Sequence, residues 1–164
     1  MQISRRAVLL GSSAMAVLSA FSLWRFGPEP MAAEGDFPFK LTDEEWKAKL
    51  EPASYDVLRH EGTERPYTSP LNDEKRAGNF LCAGCDQLLF EAAKKYDSGT
   101  GWPSFWDFVP GSLGTTEDTA FGMVRTEVHC SNCGGHQGHV FNDGPQPTGL
   151  RYCINGVSLK FVAA

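Results

Sequence analysis

The sequence predicts a mainly β domain with short helices only at its N-terminal end. Short apolar or alternating segments recur along most of the chain, and 17 glycines and 10 prolines interrupt them. Such punctuation is typical of short strands joined by turns. One strong helix-start signal lies early, at Thr42, and helix signals fade after Arg59. Two C-x-x-C pairs can each present two thiols from a tight turn, which suits a small β domain stabilised by a metal ion.

Length and composition fit a single globular domain with a short extension. The chain has 164 residues, of which 41% are hydrophobic and 21% charged, so disorder is not expected. The formal net charge of -5 argues against a nucleic-acid partner, because phosphate binding needs clustered Lys and Arg.

The first 33 residues are interpreted as a Tat-type signal peptide. Arg5 and Arg6 precede an apolar run from Ala7 to Leu23 that carries no charge. A retained membrane anchor is the alternative, because the run just reaches the lower limit of the roughly 17–25 residues that span a bilayer. We therefore expect an exported, periplasmic protein that contacts a membrane only through an uncleaved N-terminal segment. Residues 34–38 then form a linker, and the folded domain covers residues 39–164.

The predicted domain opens with a helix. Thr42 and Glu45 have the spacing of a capping box, in which each side chain satisfies a free amide of the other residue. A helix from Asp43 to about Leu50 follows, and a second helical piece covers residues 54–59.

The remaining elements are predicted to be short strands. Apolar pieces at 79–81 and 88–90 flank the first cysteine pair, and residues 124–128 and parts of 150–162 alternate. Residues 91–96 are predicted to form one more helical turn.

Four of the five cysteines are predicted to bind one zinc ion: Cys82, Cys85, Cys130 and Cys133. Two tight turns brought together give a tetrahedral cage of sulfurs, the geometry that structural zinc prefers. Disulfides in an oxidising compartment, a thioredoxin-like redox pair and iron in the same cage are the alternatives. His129 could replace one ligand. A site with four thiolates has no open position, so the metal is expected to stabilise the fold rather than take part in chemistry.

The fifth cysteine, Cys153, is the candidate nucleophile. On a strand it shares one face with Arg151 and Asn155. A nearby cation favours the thiolate, and an amide can donate to a substrate oxygen or orient a neighbour. His136 and His139, bracketed by glycines, are candidate proton-handling groups. The alternatives are an inert buried thiol and a histidine pair that binds a metal.

Adjacent aromatic residues suggest an apolar pocket. Trp102 lies in the segment Gly101 to Trp106, where Pro103 restricts the backbone. We expect Trp102 to line a pocket and Phe105 to belong to the core.

Together these segments resemble the methionine-R-sulfoxide reductase B family (peptide-methionine (R)-S-oxide reductase). The matching pieces are both C-x-x-C pairs, GWPSF at 101–105, GHQGHVF at 135–141 and RYCINGVSLKF at 151–161. The similarity covers residues 39 to 162.

The resemblance implies a β-tent (Mss4-like) fold of two antiparallel sheets, with zinc away from the active site. It also implies reduction of the R epimer of methionine sulfoxide in peptides and proteins, a repair reaction after oxidative stress. By the same matching, Cys153 is the nucleophile, Trp102 holds the ε-methyl group, and Asp143 orients His139. The residues implied to surround the thiol and the sulfoxide oxygen are His136, His139, Arg151 and Asn155.

Thr100 departs from the family pattern. Many members carry a recycling cysteine at this position, and a threonine cannot form a disulfide. We therefore expect a one-cysteine cycle, in which a thioredoxin-like protein or a small thiol reduces a sulfenic acid on Cys153.

Two other functions remain open from the residues alone. A zinc-stabilised binding module would need no reactive thiol. A thiol peroxidase or disulfide oxidoreductase would use Cys153 but would need no pocket for a methyl group.

Overall fold

The computed structural model describes residues 35–164. The predicted signal segment and the first linker residue lie outside this range. Two helices open the described part, α1 at Asp43–Lys49 and α2 at Pro52–His60. No helix within residues 35–164 is long and apolar enough to cross a membrane.

The first helix begins where its capping box predicts. The Thr42 hydroxyl accepts a hydrogen bond from the Glu45 amide, and the Glu45 carboxylate accepts one from the Thr42 amide at 2.7 Å. Two otherwise unpaired amides are thus satisfied. The helix buries Trp46, whose ring packs against Phe39 with centroids 5.7 Å apart. Further toward the N-terminus, Phe37 in the predicted linker packs edge-on against His129.

Within residues 35–164, nine strands form two antiparallel sheets, which confirms the predicted fold class. The strands are β1 (Gly78–Cys82), β2 (Leu88–Glu91), β3 (Lys95–Tyr96), β4 (Ser104–Phe105), β5 (Leu113–Asp118), β6 (Arg125–Cys130), β7 (His136–Phe141), β8 (Arg151–Ile154) and β9 (Leu159–Ala163). The smaller sheet has the order β2-β1-β9, and the larger has the order β3-β4-β8-β7-β6-β5. The predicted helical turn after β2 is a single 3-10 turn at Ala92–Lys94.

Aromatic side chains from both sheets form the centre of the core. Phe80, Phe90 and Phe105 are fully buried. The rings of Phe90 and Phe105 stack at 4.2 Å, and Phe80 meets Phe105 at 5.0 Å. Phe105 is therefore a core residue, as expected. Tyr152 on β8 also faces this core, so its neighbour Cys153 points to the opposite face of the sheet.

Strand register places a row of polar side chains on that opposite face. Ser104 pairs with Cys153, Cys153 pairs with His139, and His139 pairs with Glu127. Residues directly opposite each other in antiparallel strands project from the same face. Four strands therefore bring a hydroxyl, a thiol, an imidazole and a carboxylate into one line.

Candidate active site and metal centre

A cavity of about 130 Å³ opens at Cys153 and His139, the two middle members of this polar row. Four of the predicted site residues meet there, namely the thiol, one of the two histidines, the asparagine and the tryptophan. The full lining consists of Thr63, Trp102, Arg125, Gly138, His139, Phe141, Cys153 and Asn155.

The Cys153 thiol is half-buried at the base of the cavity. Burial raises the pKa of this thiol, while a hydrogen bond with Thr100 and the positive charge of Arg151 act in the opposite direction. The Thr100 hydroxyl oxygen lies 3.8 Å from the sulfur, so the two positions are neighbours. The thiol is therefore accessible from the cavity and has polar groups behind it that favour its ionised form.

Arg151 is paired with a carboxylate. Its Nε and Nη2 donate to the two oxygens of Asp143 at 2.8 and 2.9 Å, and its guanidinium lies 4.4 Å from the centre of the Phe141 ring. The hydrogen bonds from Arg151 to Asp143 raise the pKa of Arg151, which keeps it cationic. The prediction that Asp143 orients His139 is wrong. Because Phe141 pairs with Arg151 across β7 and β8, the loop after β7 brings Asp143 to the guanidinium fork instead.

Asp118 at the end of β5 is the partner of His139. Its Oδ2 lies 2.8 Å from His139 Nε2 and accepts a hydrogen bond from Arg125 Nη2 at 2.6 Å. Burial raises the pKa of Asp118, but bonds from the Ala120 amide, His139 and Arg125 outweigh it and leave a net lowering. Asp118 is therefore ionised and fixes the ring of His139. Because Asp118 binds Nε2 of His139, Nδ1 is the ring nitrogen that is available to exchange a proton.

The pKa of His139 lies below its usual value. Burial is the largest cause, and the neighbouring Asp118 carboxylate offsets it only in part. Positive charge from Arg125 and His136 lowers the pKa further. The neutral ring therefore predominates at neutral pH, while the carboxylate keeps the protonated form within reach.

His136 lies behind His139 and does not line the cavity. Its side chain is almost fully buried, and the two rings meet edge to face with centroids 5.4 Å apart. Nδ1 of His136 lies 2.9 Å from Glu127 Oε1. Burial raises the pKa of Glu127, yet hydrogen bonds from His129 and His136 outweigh it and lower the pKa to about 2. Among the described groups, no partner satisfies the buried Nε2 of His136.

Asn155 and Trp102 are joined through one backbone segment. The side chain of Asn155 accepts from the Glu64 amide at 2.9 Å and donates to the Gln137 carbonyl at 3.1 Å. The Trp102 indole donates to the Glu64 carbonyl at 2.9 Å, and the Glu64 carboxylate accepts from the Gly156 amide at 2.6 Å. Glu64 thus ties the aromatic wall to the turn that follows the thiol. The amide of Asn155 is engaged in positioning its neighbours.

The sequence did not reveal three of these carboxylates. Glu64 and Asp118 lie far along the chain from Trp102 and His139, and Glu127 contacts His136 from the neighbouring strand. Only Glu127 carried a local signal, as a charged residue within the alternating segment at 124–128. A buried carboxylate in such a strand needs a partner, so it could have been flagged as a member of a polar cluster.

The two cysteine pairs come together at the end of β1 and the end of β6. All four sulfurs lie within 4.8 Å of one another, with Cys82 and Cys133 at 3.7 Å and Cys85 and Cys130 at 3.5 Å. A tetrahedral metal with bonds of about 2.3 Å to sulfur requires sulfur separations of about 3.8 Å. All five cysteines are free thiols, so the disulfide alternative is not adopted. The donor set and its spacing therefore fit a metal ion bound by four thiolates.

This metal centre is separate from the cavity. None of its four cysteines lines the cavity. His129 is not part of the cluster, because its ring nitrogen faces the Thr116 hydroxyl and the Glu127 carboxylate. A metal bound there would hold the two sheets together at a distance from the thiol of Cys153.

Comparison with known proteins identifies close relatives. The SelR domain family matches residues 50–163. The protein named peptide methionine sulfoxide reductase MsrB from Leifsonia xyli subsp. xyli is 52% identical over 79% of this chain and 95% of its own length. Proteins of the same name from Pseudomonas putida and Methanosarcina barkeri are 56% and 54% identical, each over 73% of this chain and over 91% and 85% of their own lengths.

Proposed function

Because the chain belongs to the SelR-domain family of MsrB peptide methionine sulfoxide reductases, we propose that it reduces the R epimer of methionine sulfoxide in peptides and proteins. The observation that carries this proposal is the cavity itself. In it, the thiol of Cys153 and the imidazole of His139 face one another across two paired strands, beside the indole of Trp102.

The cavity suits a methyl sulfoxide. Trp102 and Phe141 provide aromatic walls for the ε-methyl group. A sulfoxide sulfur becomes electrophilic only when its oxygen is protonated or strongly hydrogen-bonded. His139 is the proton donor in this proposal, and Asp118 raises the proportion of its protonated form.

The reaction exchanges one oxygen between two sulfurs. The Cys153 thiolate attacks the sulfoxide sulfur as His139 protonates the oxygen. This attack forms a sulfur–sulfur bond. The sulfur–oxygen bond of the substrate then breaks as hydroxide leaves, and hydroxide adds to the sulfur of Cys153 while the sulfur–sulfur bond breaks, so that methionine departs and Cys153 carries a sulfenic acid. The substrate sulfur is reduced by two electrons to methionine, and Cys153 is oxidised by two electrons.

Selection between epimers follows from three fixed directions at one tetrahedral sulfur. Trp102 fixes the methyl group, the cavity mouth fixes the peptide side of the substrate, and Cys153 approaches the sulfur from below. Only one epimer then directs its oxygen toward His139, and the assignment of that epimer as the R form rests on the family resemblance.

An external thiol completes the cycle. Cys153 is the one cysteine of the chain outside the metal cluster, and Thr100 occupies the neighbouring position. Two thiols from a thioredoxin-like protein or a small molecule convert the sulfenic acid back to a thiol. They leave as a disulfide and release water.

The metal in the proposal is zinc, held by Cys82, Cys85, Cys130 and Cys133. Four thiolates leave no coordination position for a substrate, so the ion contributes fold stability. We also propose that the segment before the domain directs export to the periplasm, on the basis of Arg5, Arg6 and the apolar run. Fractionation of a variant with both arginines changed to lysine tests this, and unchanged export would contradict it.

The decisive experiment uses the metal-loaded domain, dithiothreitol and the two separated epimers of a blocked methionine sulfoxide. We expect methionine only from the R epimer and none with Cys153→Ser. Metal content and circular dichroism of that variant must match those of the wild type. Failure on both epimers by a folded, metal-loaded protein would contradict the proposal and favour a binding module. Faster turnover with peroxide than with the sulfoxide would favour a thiol peroxidase.

A further inference from the structure

A chain of hydroxyl groups lies behind the thiol of Cys153. Ser98 Oγ is 2.8 Å from Thr100 Oγ1 and 2.7 Å from Ser104 Oγ. Thr100 Oγ1 in turn lies 3.8 Å from Cys153 Sγ. The chain ends at a carbonyl, because Ser104 Oγ donates to the Trp102 oxygen at 3.2 Å.

These hydroxyls do not face the substrate cavity. Ser98, Thr100 and Ser104 are absent from its lining, and Ser104 is fully buried on the strand beside Cys153. They approach the sulfur from β4 and the loop before it, outside the lining of the cavity.

The direction of hydrogen bonding in the chain depends on the charge of the sulfur. Each hydroxyl has one proton to donate, and the carbonyl of Trp102 can only accept. When Cys153 is a neutral thiol, every group is satisfied if donation runs from sulfur to Thr100, then to Ser98, Ser104 and the carbonyl. A thiolate has no proton, so donation must run the other way.

Reversal costs little. In the reversed chain Ser104 donates to Ser98, Ser98 donates to Thr100, and Thr100 donates to the sulfur. Only the hydrogen bond from Ser104 to the Trp102 carbonyl is broken, and at 3.2 Å it has the longest oxygen–oxygen distance of the chain. In exchange the negatively charged sulfur accepts a hydrogen bond from Thr100, and a hydrogen bond to a charged acceptor is stronger than one between neutral groups.

We propose that Thr100, positioned by Ser98, is a catalytic hydroxyl that donates a hydrogen bond to the Cys153 thiolate. The proposal rests on the function proposed above, in which this thiolate is the nucleophile. It gives Thr100 a chemical task at the position where other members of the family have a recycling cysteine.

Other groups near the sulfur leave room for such a donor. Arg151 faces the sulfur, but Asp143 shares its charge through two hydrogen bonds. His139 and Arg125 reach the cavity, and both bind Asp118. Tyr96 adds a neutral phenol on the side of β3, where burial raises its pKa.

The balance at the thiol follows from these neighbours. Burial raises the pKa of Cys153, and the hydrogen bond with Thr100 is the largest influence in the opposite direction. The hydroxyl chain therefore offsets part of the cost of placing a negative sulfur in a buried position.

The test measures how fast iodoacetamide alkylates Cys153 in the metal-loaded protein as a function of pH. The thiolate displaces iodide and forms a carbon–sulfur bond, and mass spectrometry of the Cys153 peptide follows the product. The variants are Thr100→Val, Thr100→Ser and Ser98→Ala. Thr115→Val on the exposed edge strand is the matched control, because it makes the same chemical change far from the sulfur.

We expect Thr100→Val to raise the pKa of Cys153 by about one unit, so that alkylation at pH 7 is about tenfold slower. Thr100→Ser and Thr115→Val should keep the wild-type dependence of alkylation rate on pH. The pKa of Cys153 in Ser98→Ala should lie between the wild-type value and that in Thr100→Val. Identical profiles for wild type and Thr100→Val would overturn the proposal. If Thr100→Val does not fold, an unchanged profile in Ser98→Ala overturns it in the same way. Alkylation needs no sulfoxide, so this result is independent of whether the protein reduces methionine sulfoxide.

Discussion

Gly138 offers a direct test of whether the spacing of β7 and β8 sets the chemistry. This glycine lies next to His139 and has a φ of 154°, a conformation that residues with side chains rarely adopt. A Cβ atom added there would lie 2.0 Å from the carbonyl oxygen of Cys153. The substitution Gly138→Ala therefore places a methyl group between the two strands that carry the proposed acid, His139, and the proposed nucleophile, Cys153.

The expected displacement can be worked out from that distance. Real Cβ atoms essentially never approach another heavy atom closer than 3.0 Å, so the strands must separate by about 1 Å. The obstructing atom belongs to the backbone of a paired strand and cannot rotate away. A misplacement of about 1 Å costs a reaction about 100-fold in rate, and we expect that loss in kcat/KM for the R epimer. Backbone strain should also lower the free energy of unfolding by about 2 to 3 kcal/mol.

The assay compares this variant with Gly111→Ala. Gly111 also has a left-handed φ, of 79°, but nothing lies within 4 Å of the position that its methyl group would take. The control therefore includes the conformational cost of about 1 to 2 kcal/mol without the clash. Thermal unfolding and metal content establish that both proteins are folded. The reasoning is refuted if Gly138→Ala retains kcat/KM within about twofold of the control.

The site makes three further predictions. Asp118→Asn removes the charge that favours protonated His139, so the pKa of the imidazole should fall further. The decline of kcat/KM at high pH should then move to lower pH by about one unit. An unchanged pH profile, or an equal shift in the control Glu117→Gln, would exclude His139 as the acid. Removal of the metal with a chelator should abolish cooperative unfolding, and added zinc should restore it. The reason is that metal binding by four thiolates contributes on the order of 10 kcal/mol to folding. A metal-free protein with an unchanged melting temperature would contradict a structural ion. Thr100→Cys should form a disulfide with Cys153 after one turnover, because the two side chains already lie 3.8 Å apart; a mass spectrum without that bond would contradict their closeness in solution.

Features that depend on neighbouring residues could be predicted from the sequence. The capping box at Thr42 acts within one turn of helix, so it located the start of α1. The two C-x-x-C pairs predicted the sulfur cluster because each tight turn fixes two of its ligands. The alternation around Cys153 predicted a strand there, and β8 covers Arg151–Ile154.

Features set by sheet pairing could not be predicted in the same way. Strand β5 has no apolar alternation, since it is an edge strand whose middle residues are exposed. Without β5 there was no reason to bring Asp118 to His139. The two residues come together only because β5 pairs with β6 and β6 pairs with β7.

The two histidines show how an irregular strand changes a prediction. Residues three apart on a regular strand point to opposite faces. In β7 the pairing slips, so that His129 faces His136 while Val128 faces Gly138, and Gln137 is an extra residue. Such a bulge redirects the side chains around it, and here it brings the ring of His136 against that of His139. Sequence spacing alone could not show that one ring lines the cavity and the other supports it.

The same bulge connects the metal centre with the cavity. The side chain of Gln137 donates to the sulfur of Cys82 at 3.5 Å, and its backbone carbonyl accepts two hydrogen bonds from Asn155. Asn155 holds Glu64, which in turn holds the indole of Trp102. A metal that fixes Cys82 would therefore also fix Gln137, which positions Trp102 in the cavity wall through Asn155 and Glu64. We therefore expect such a metal to affect activity through geometry, because a displaced Gln137 would loosen the Asn155 turn directly after the thiol without any change in the thiol itself.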